Sequence, residues 1–130
     1  MPPSSYEILV LDLDGTLLQP DGSIADNDRD AVFRAREAGL QVVLATGRAL
    51  VESKDAVQAI AHEGIVIAAG GSMVCDAASG RTKHRHIMGR DLVADVTHAI
   101  LDDHHKALLL KDPDTAGYDY LAVGPHDLDP

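Results

Sequence analysis

Aromatic side chains are nearly missing from this 130-residue chain, at 3% of positions, and it holds one cysteine and few positive charges. Each scarcity excludes something. With so few rings, Ala, Val, Leu and Ile must fill any core, as is usual for layered α/β folds. A single thiol, Cys75, cannot close an intrachain disulfide, which excludes a disulfide-stapled framework and suits a reducing compartment. Its apolar setting assigns it to packing. Eleven Lys and Arg stand against 21 Asp and Glu, a formal net charge of −10, so phosphate-backbone binding to nucleic acid is not expected. No run approaches the roughly 20 apolar residues of a membrane span, and Met1-Pro2-Pro3-Ser4-Ser5 lacks the pattern of a signal peptide. No repeat or low-complexity tract is visible. These features predict a soluble, cytoplasmic protein without a nucleic-acid or membrane partner, and a length sufficient for one modest core.

The chain is organised around Ile8-Leu9-Val10-Leu11-Asp12-Leu13-Asp14-Gly15-Thr16-Leu17-Leu18. Its first half is apolar without alternation, which suits a strand buried on both faces at the centre of a parallel sheet. It then breaks into two carboxylates and a Gly-Thr turn. Ligands of open α/β sheets sit beyond the carboxyl ends of strands, so the acids fall where chemistry is expected. Two carboxylates so close repel unless a cation lies between them or one takes a proton. Hard oxygen donors without Cys or His favour Mg²⁺ over Zn²⁺ or Cu²⁺. A carboxylate beside such a metal is able to attack a phosphoryl group. A plainer reading makes Asp-Leu-Asp-Gly a turn and nothing more, since Asp and Gly are ordinary turn formers. That reading leaves the buried strand running into acids unexplained.

Downstream, Gln19 to Ser23 is turn-rich and reads as a small flap. Asp26 is a candidate N-cap for a helix running to about Ala38, with Asp28 and Asp30 in its first turn and Gly39 as its stop. Leu40 to Ala45 is a second buried strand, ending in Thr46-Gly47-Arg48 before a helix from about Ala49 to His62. A Thr hydroxyl at a strand tip, followed by Gly and a helix N-terminus, is suited to hold phosphate, although Thr is also a common cap. Ile65 to Ala69 is a third strand. Strand and helix alternation of this kind implies right-handed parallel crossovers and a Rossmann-like sheet. Met73 to Asp76, a turn at Ala77 to Gly80 and a return from Arg81 to Met88 make a hairpin. Asp91 to about His105 reads as an amphipathic helix with Leu92, Val96, Ala99 and Ile100 on one side. Lys106 to Leu110 and Tyr118 to Val123 read as strands joined by a loop, and 124–130 as loop.

Asp12-Leu13-Asp14-Gly15-Thr16-Leu17 resembles the DxDGT signature of the haloacid dehalogenase superfamily, most of whose members are Mg²⁺-dependent phosphatases. Thr46-Gly47-Arg48 resembles the second motif in the form found in the Cof-like branch. The resemblance implies an α/β, Rossmann-like core over 1–80, incomplete in this chain. It also implies the start of a type-two α+β cap over 81–130, which closes over substrate and excludes water. By the same resemblance Asp12 is the nucleophile that forms an aspartyl-phosphate, and Asp14 is the general acid/base. The Asp12 carboxylate and the Asp14 backbone carbonyl are Mg²⁺ ligands. Thr46, with Gly47, binds the phosphate of a small phosphorylated metabolite such as a sugar phosphate. Arg48 either contacts substrate or pairs with an acid to hold the loop. Gly70 departs from the branch, which usually carries Asn there before a Gly-Ala pair.

The chain matches only about the first half of the family's length. A catalytic Lys and a later Asp-rich metal loop find no counterpart, and Lys106 and Lys111 lie in cap-like sequence. The strand Ile8 to Leu11 then presents an open apolar edge, so the chain is expected to be a fragment or a homo-oligomer joined there. Two functions compete: a Mg²⁺-dependent phosphohydrolase, and a catalytically silent fold-mate that binds phosphate or a protein partner. A phospho-accepting signalling receiver fits poorly, because that class gathers its acids from different strands. His84 with His86, and His104 with His105, lack the further ligands of a metal site, and a His at a helix C-terminus suits the dipole.

Overall fold

The computed structural model describes residues 6–125. The readings of the opening residues as a non-signal start and of 126–130 as loop lie outside the described residues. The chain divides into two compact units, Met1–Arg85 and His86–Pro130.

The first unit runs β1 (Ile8–Asp12), α1 (Asp26–Glu37), β2 (Gln41–Ala45), a 3₁₀ turn at Leu50–Ser53 leading into α2 (Lys54–Ala59), β3 (Ile65–Ala68), β4 (Met73–Asp76) and β5 (Thr82–Arg85). The five strands form one sheet in the order β1-β2-β3-β4-β5. The first three are parallel, and β4 and β5 add antiparallel. This is the expected α/β architecture, with a mixed rather than purely parallel sheet. Parallel register aligns Leu9 with Val42, and Leu11 with Leu44 and Val66. That face packs against Val32 of α1 and Ala56 and Ile60 near α2, with Cys75 in the same cluster. Leu44, Ile60 and Val66 are fully buried. Each such side chain contributes about 1.5–3 kcal/mol through removal from water.

β1 is the open apolar edge expected of a chain that lacks the far-side strands. It is not buried on both faces, however, since Ile8 and Val10 remain 53% and 55% exposed. Among the described residues no strand lies beyond it, so an unbroken apolar run marks what the strand is suited to bury, not what this chain covers.

Two helix ends differ from the sequence reading. Ala25, without any side-chain cap, occupies the N-cap of α1, and Asp26 is its first helical residue. Asp26 and Asp28 still face the positive end of the helix dipole, and Asp26 Oδ1 pairs with Arg29 Nη2 at 2.9 Å. Gly39 stops the helix at φ +89°, a region costly for any residue with a Cβ. The helix expected from Ala49 to His62 is shorter and broken. Arg36 of α1 ends it by donating from Nη1 to the carbonyls of Ile60, at 2.5 Å, and Ala61, at 3.3 Å.

The same guanidinium fixes His62. Arg36 Nη2 lies 3.1 Å from His62 Nδ1, and His62 Nε2 lies 3.0 Å from the Ile65 carbonyl. Arginine only donates and a carbonyl only accepts, so the buried ring is neutral with its proton on Nε2. Burial lowers the His62 pKa, the Ile65 carbonyl opposes that, and the nearby Arg36 charge adds to it. A depressed folded-state value means the unfolded chain binds the proton first. The contribution to stability is therefore complete above the ordinary value of about 6.5 and is lost as pH falls through the folded-state value. The urea midpoint is expected to drop between pH 7.5 and 5.5, above the range where carboxylates titrate. A midpoint constant over that interval would remove His62 from the stability of this unit.

The second unit contains α3 (Arg90–Asp102), β6 (Ala107–Leu110), a single-turn α4 (Pro113–Ala116) and β7 (Tyr120–Val123). β6 and β7 pair antiparallel, from Ala107 opposite Val123 to Leu110 opposite Tyr120. The loop expected between the strands holds a helical turn because Asp112 caps it. Its carboxylate accepts from the Asp114 amide at 3.1 Å and the Thr115 hydroxyl at 3.0 Å, with Pro113 at the first position. On α3 the sheltered residues are Val93, Thr97, Ile100 and Leu101, while Leu92, Val96 and Ala99 are exposed. Apolar residues thus lie on both the sheltered and the bare side, so periodicity alone does not distinguish them.

Candidate active site

The site is built at the carboxyl ends of β1 and β2. Asp12 is the last residue of β1 and pairs in register with Ala45, the last of β2, which places Thr46 one residue beyond that pair. Between the two acids Leu13 is fully buried, a hydrophobic anchor in the core cluster that sets where Asp12 and Asp14 leave the sheet. The chain then turns tightly: the amides of Thr16, Leu17 and Leu18 return to the Leu13 carbonyl at 3.3, 3.1 and 2.8 Å. Gly15 sits in this turn at φ +72°, which explains a glycine immediately after the acids. Thr16 donates its hydroxyl to Asp12 Oδ2 at 3.2 Å. Reading the motif from the sequence assigned Thr16 no such role, although its position four residues after Asp12 allows one.

Thr46 is 6% exposed, and its amide donates to the Ile67 carbonyl at 2.8 Å. Its hydroxyl oxygen accepts from the Arg48 amide at 3.1 Å. The hydroxyl proton has no acceptor among the described residues and is free to donate to a ligand. Gly47 is exposed, with open space where a Cβ would stand. One expectation fails here. No long helix begins at this strand tip, because Arg48 and Ala49 intervene before the 3₁₀ turn and α2 has only six residues. A helix dipole therefore adds little at Thr46, and the donors at this tip are the Thr46 hydroxyl and the Arg48 guanidinium.

Arg48 is held from several sides. Its carbonyl accepts from the Ala69 amide at 2.7 Å, and its Nη1 donates to the Glu52 carbonyl at 3.4 Å. Glu52 in turn caps the turn by accepting from the Ala49 amide at 2.9 Å. The rest of the guanidinium forms a two-pronged pair with Asp14: Nε donates to Oδ2 at 2.8 Å and Nη2 to Oδ1 at 2.5 Å. Of the two roles the sequence left open for Arg48, pairing with an acid is the one observed. The hydrogen bond from Arg48 holds the Asp14 pKa below the ordinary carboxylate value, with slight burial opposing and the Arg48 charge assisting. The side chains of Arg48 and Asp14 are 38% and 57% exposed, and an ion pair so open to water is weak and salt-sensitive.

The metal donor set stops short. Among the described residues no group of three His, Cys, Asp or Glu is placed to hold an ion. The oxygens at Asp12 and Asp14 are the hard donors Mg²⁺ accepts, and that ion commonly takes one or two protein ligands and completes its shell with water and phosphate oxygens. The donor chemistry therefore fits Mg²⁺.

A family profile described as haloacid dehalogenase-like hydrolase matches residues 9–126. An HMP-PP phosphatase of Cronobacter sakazakii is 34% identical over 90 residues, 69% of this chain and 31% of its own length. A pyridoxal phosphate phosphatase of Escherichia coli is 39% identical over 69 residues, 53% of this chain and 25% of its own length. Among solved structures, a phosphatase of the same superfamily from Bacteroides thetaiotaomicron superposes with a TM-score of 0.73 at 21% identity, covering 94% of this chain and 44% of that one. A haloacid dehalogenase-like hydrolase from Bacillus subtilis gives 0.71 at 24% identity, covering 80% and 36%. The chain thus spans between a quarter and a third of the length of the curated relatives it matches. With that profile matched over most of its length, the chain belongs to the haloacid dehalogenase-like hydrolases, in their Cof family.

Proposed function

We propose that this chain carries the nucleophile-bearing half of a Mg²⁺-dependent phosphatase acting on small phosphorylated metabolites. The observation that supports it most is the register that sets Asp12 beside Ala45, one residue from the free Thr46 hydroxyl proton. Asp12 attacks the phosphorus as a carboxylate and becomes the aspartyl-phosphate, and Asp14 protonates the leaving oxygen and then activates water. Thr46 and the Gly47 turn hold the phosphoryl oxygens. The Asp12 carboxylate and the Asp14 carbonyl hold Mg²⁺, which when bound neutralises the phosphoryl charge. The unit after Arg85 serves as the start of a cap that sets specificity, and the relatives' names suggest cofactor or sugar phosphates as substrates.

The test is hydrolysis of a generic phosphomonoester by the 130-residue chain, with and without Mg²⁺. Turnover that EDTA abolishes supports the reading; equal turnover in EDTA would refute the metal role. A second reading, a silent fold-mate that only binds phosphate, draws support from the two-acid donor set. It predicts phosphate binding without turnover.

The bare edge of β1 supports association of this chain with a second copy. Light scattering after size exclusion is expected to show mass rising with concentration, and Val10→Lys to lower it. A strictly monomeric wild-type chain at high concentration would sink the idea.

A further inference from the structure

Both carboxylate oxygens of Asp14 are occupied by Arg48 in this structure. A carboxylate clasped in that way is not available to a leaving group. The partner that clasps it is anchored at its root 3.1 Å from the Thr46 hydroxyl, through the Arg48 amide. It is also tied to the β3 side through the Ala69 amide. The guanidinium is thus carried on a fixed backbone at the strand tip, while its bond to Asp14 is half open to water and easily exchanged.

A phosphoryl group offers the same planar fork of donors a second set of anionic oxygens, with more charge than one carboxylate. We propose that Arg48 is a positioning residue: without ligand it parks Asp14 away from chemistry, and an arriving phosphoryl group takes over the guanidinium and releases Asp14. This rests on the reading that phosphate binds at the Thr46 tip. It goes beyond that reading by making substrate arrival the event that frees the second acid. Asp14 and the phosphoryl group then compete for one cation, so occupancy of the first disfavours the second.

The competition is measurable without turnover, by calorimetric titration of inorganic phosphate into the 130-residue chain in Mg²⁺. Asp14→Asn is expected to tighten phosphate binding about threefold or more when Arg48 is present, and to give no gain in an Arg48→Gln background. Arg48→Lys is expected to restore part of the affinity but little of the coupling, because an ammonium does not clasp two oxygens at once. In a parallel NMR readout, the wild-type Arg48 Nε–H signal should shift on addition of phosphate, and in phosphate-free Asp14→Asn it should already differ from wild type. An equal gain from Asp14→Asn in both backgrounds would show that Asp14 merely repels the anion and would overturn the latch alone. So would an Arg48 signal indifferent to phosphate. Absence of phosphate binding by the wild-type chain would overturn the phosphate site and the latch together.

Discussion

Asp12→Asn is expected to cut Mg²⁺-dependent phosphomonoester turnover by about a thousandfold or more, while leaving the fold in place. The size follows from what an amide lacks. It has no negative charge to share with a cation and is a poor nucleophile towards phosphorus, so the covalent route closes instead of slowing. The fold should survive because Asp12 ends β1 exposed, and among the described residues its carboxylate accepts one hydrogen bond, from Thr16 at 3.2 Å. An amide oxygen still accepts that bond. The measurement is initial rate with a generic phosphomonoester, alongside circular dichroism. Residual turnover within about tenfold of wild type would remove Asp12 from the nucleophile's role, because losing an attacking group costs far more than that.

Leu13→Ala carries the other large effect, and it falls first on stability. Leu13 is fully buried in the cluster that joins β1 to α1 and α2, so truncation removes apolar contact and leaves a cavity. Such a change costs about 3 kcal/mol. That is a large share of the 5–15 kcal/mol that typically separates folded from unfolded domains. The urea midpoint should fall sharply, with little change in slope. The substitution should also weaken phosphate binding at temperatures where the protein remains folded, because Leu13 anchors the turn that carries both acids. A loss below about 1 kcal/mol would mean the turn is held by its backbone bonds to the Leu13 carbonyl and not by the side chain.

Most of the candidate site is legible in the sequence, because its parts are local. An apolar run ending in Asp12-Leu13-Asp14-Gly15 specifies a strand, a stop and a glycine-dependent turn within a few residues. Thr46-Gly47 marks a second strand end in the same way. What escaped the sequence depends on contacts between distant segments. The helix expected through His62 ends early because Arg36, 24 residues before Ile60, takes its terminal carbonyl. Helical periodicity carries no trace of that bond. Which side of α3 is sheltered stays open in the sequence, because its apolar residues lie on more than one face and several satisfy the pattern. The role of Arg48 stayed open for the same reason, its partner lying 34 residues away.

By itself the sequence determined the strands, their order along the chain, the two acids at one strand end and the threonine at the next. These depend on apolar periodicity and on backbone preferences that act over a few residues. Only the tertiary structure decided that Asp12 stands beside Ala45, that Arg48 clasps Asp14, and that one face of β1 leaves Ile8 and Val10 in water. Register, ion-pair choice and coverage are set by which surfaces meet, and a side chain's own chemistry states what it is able to bind without stating what arrives.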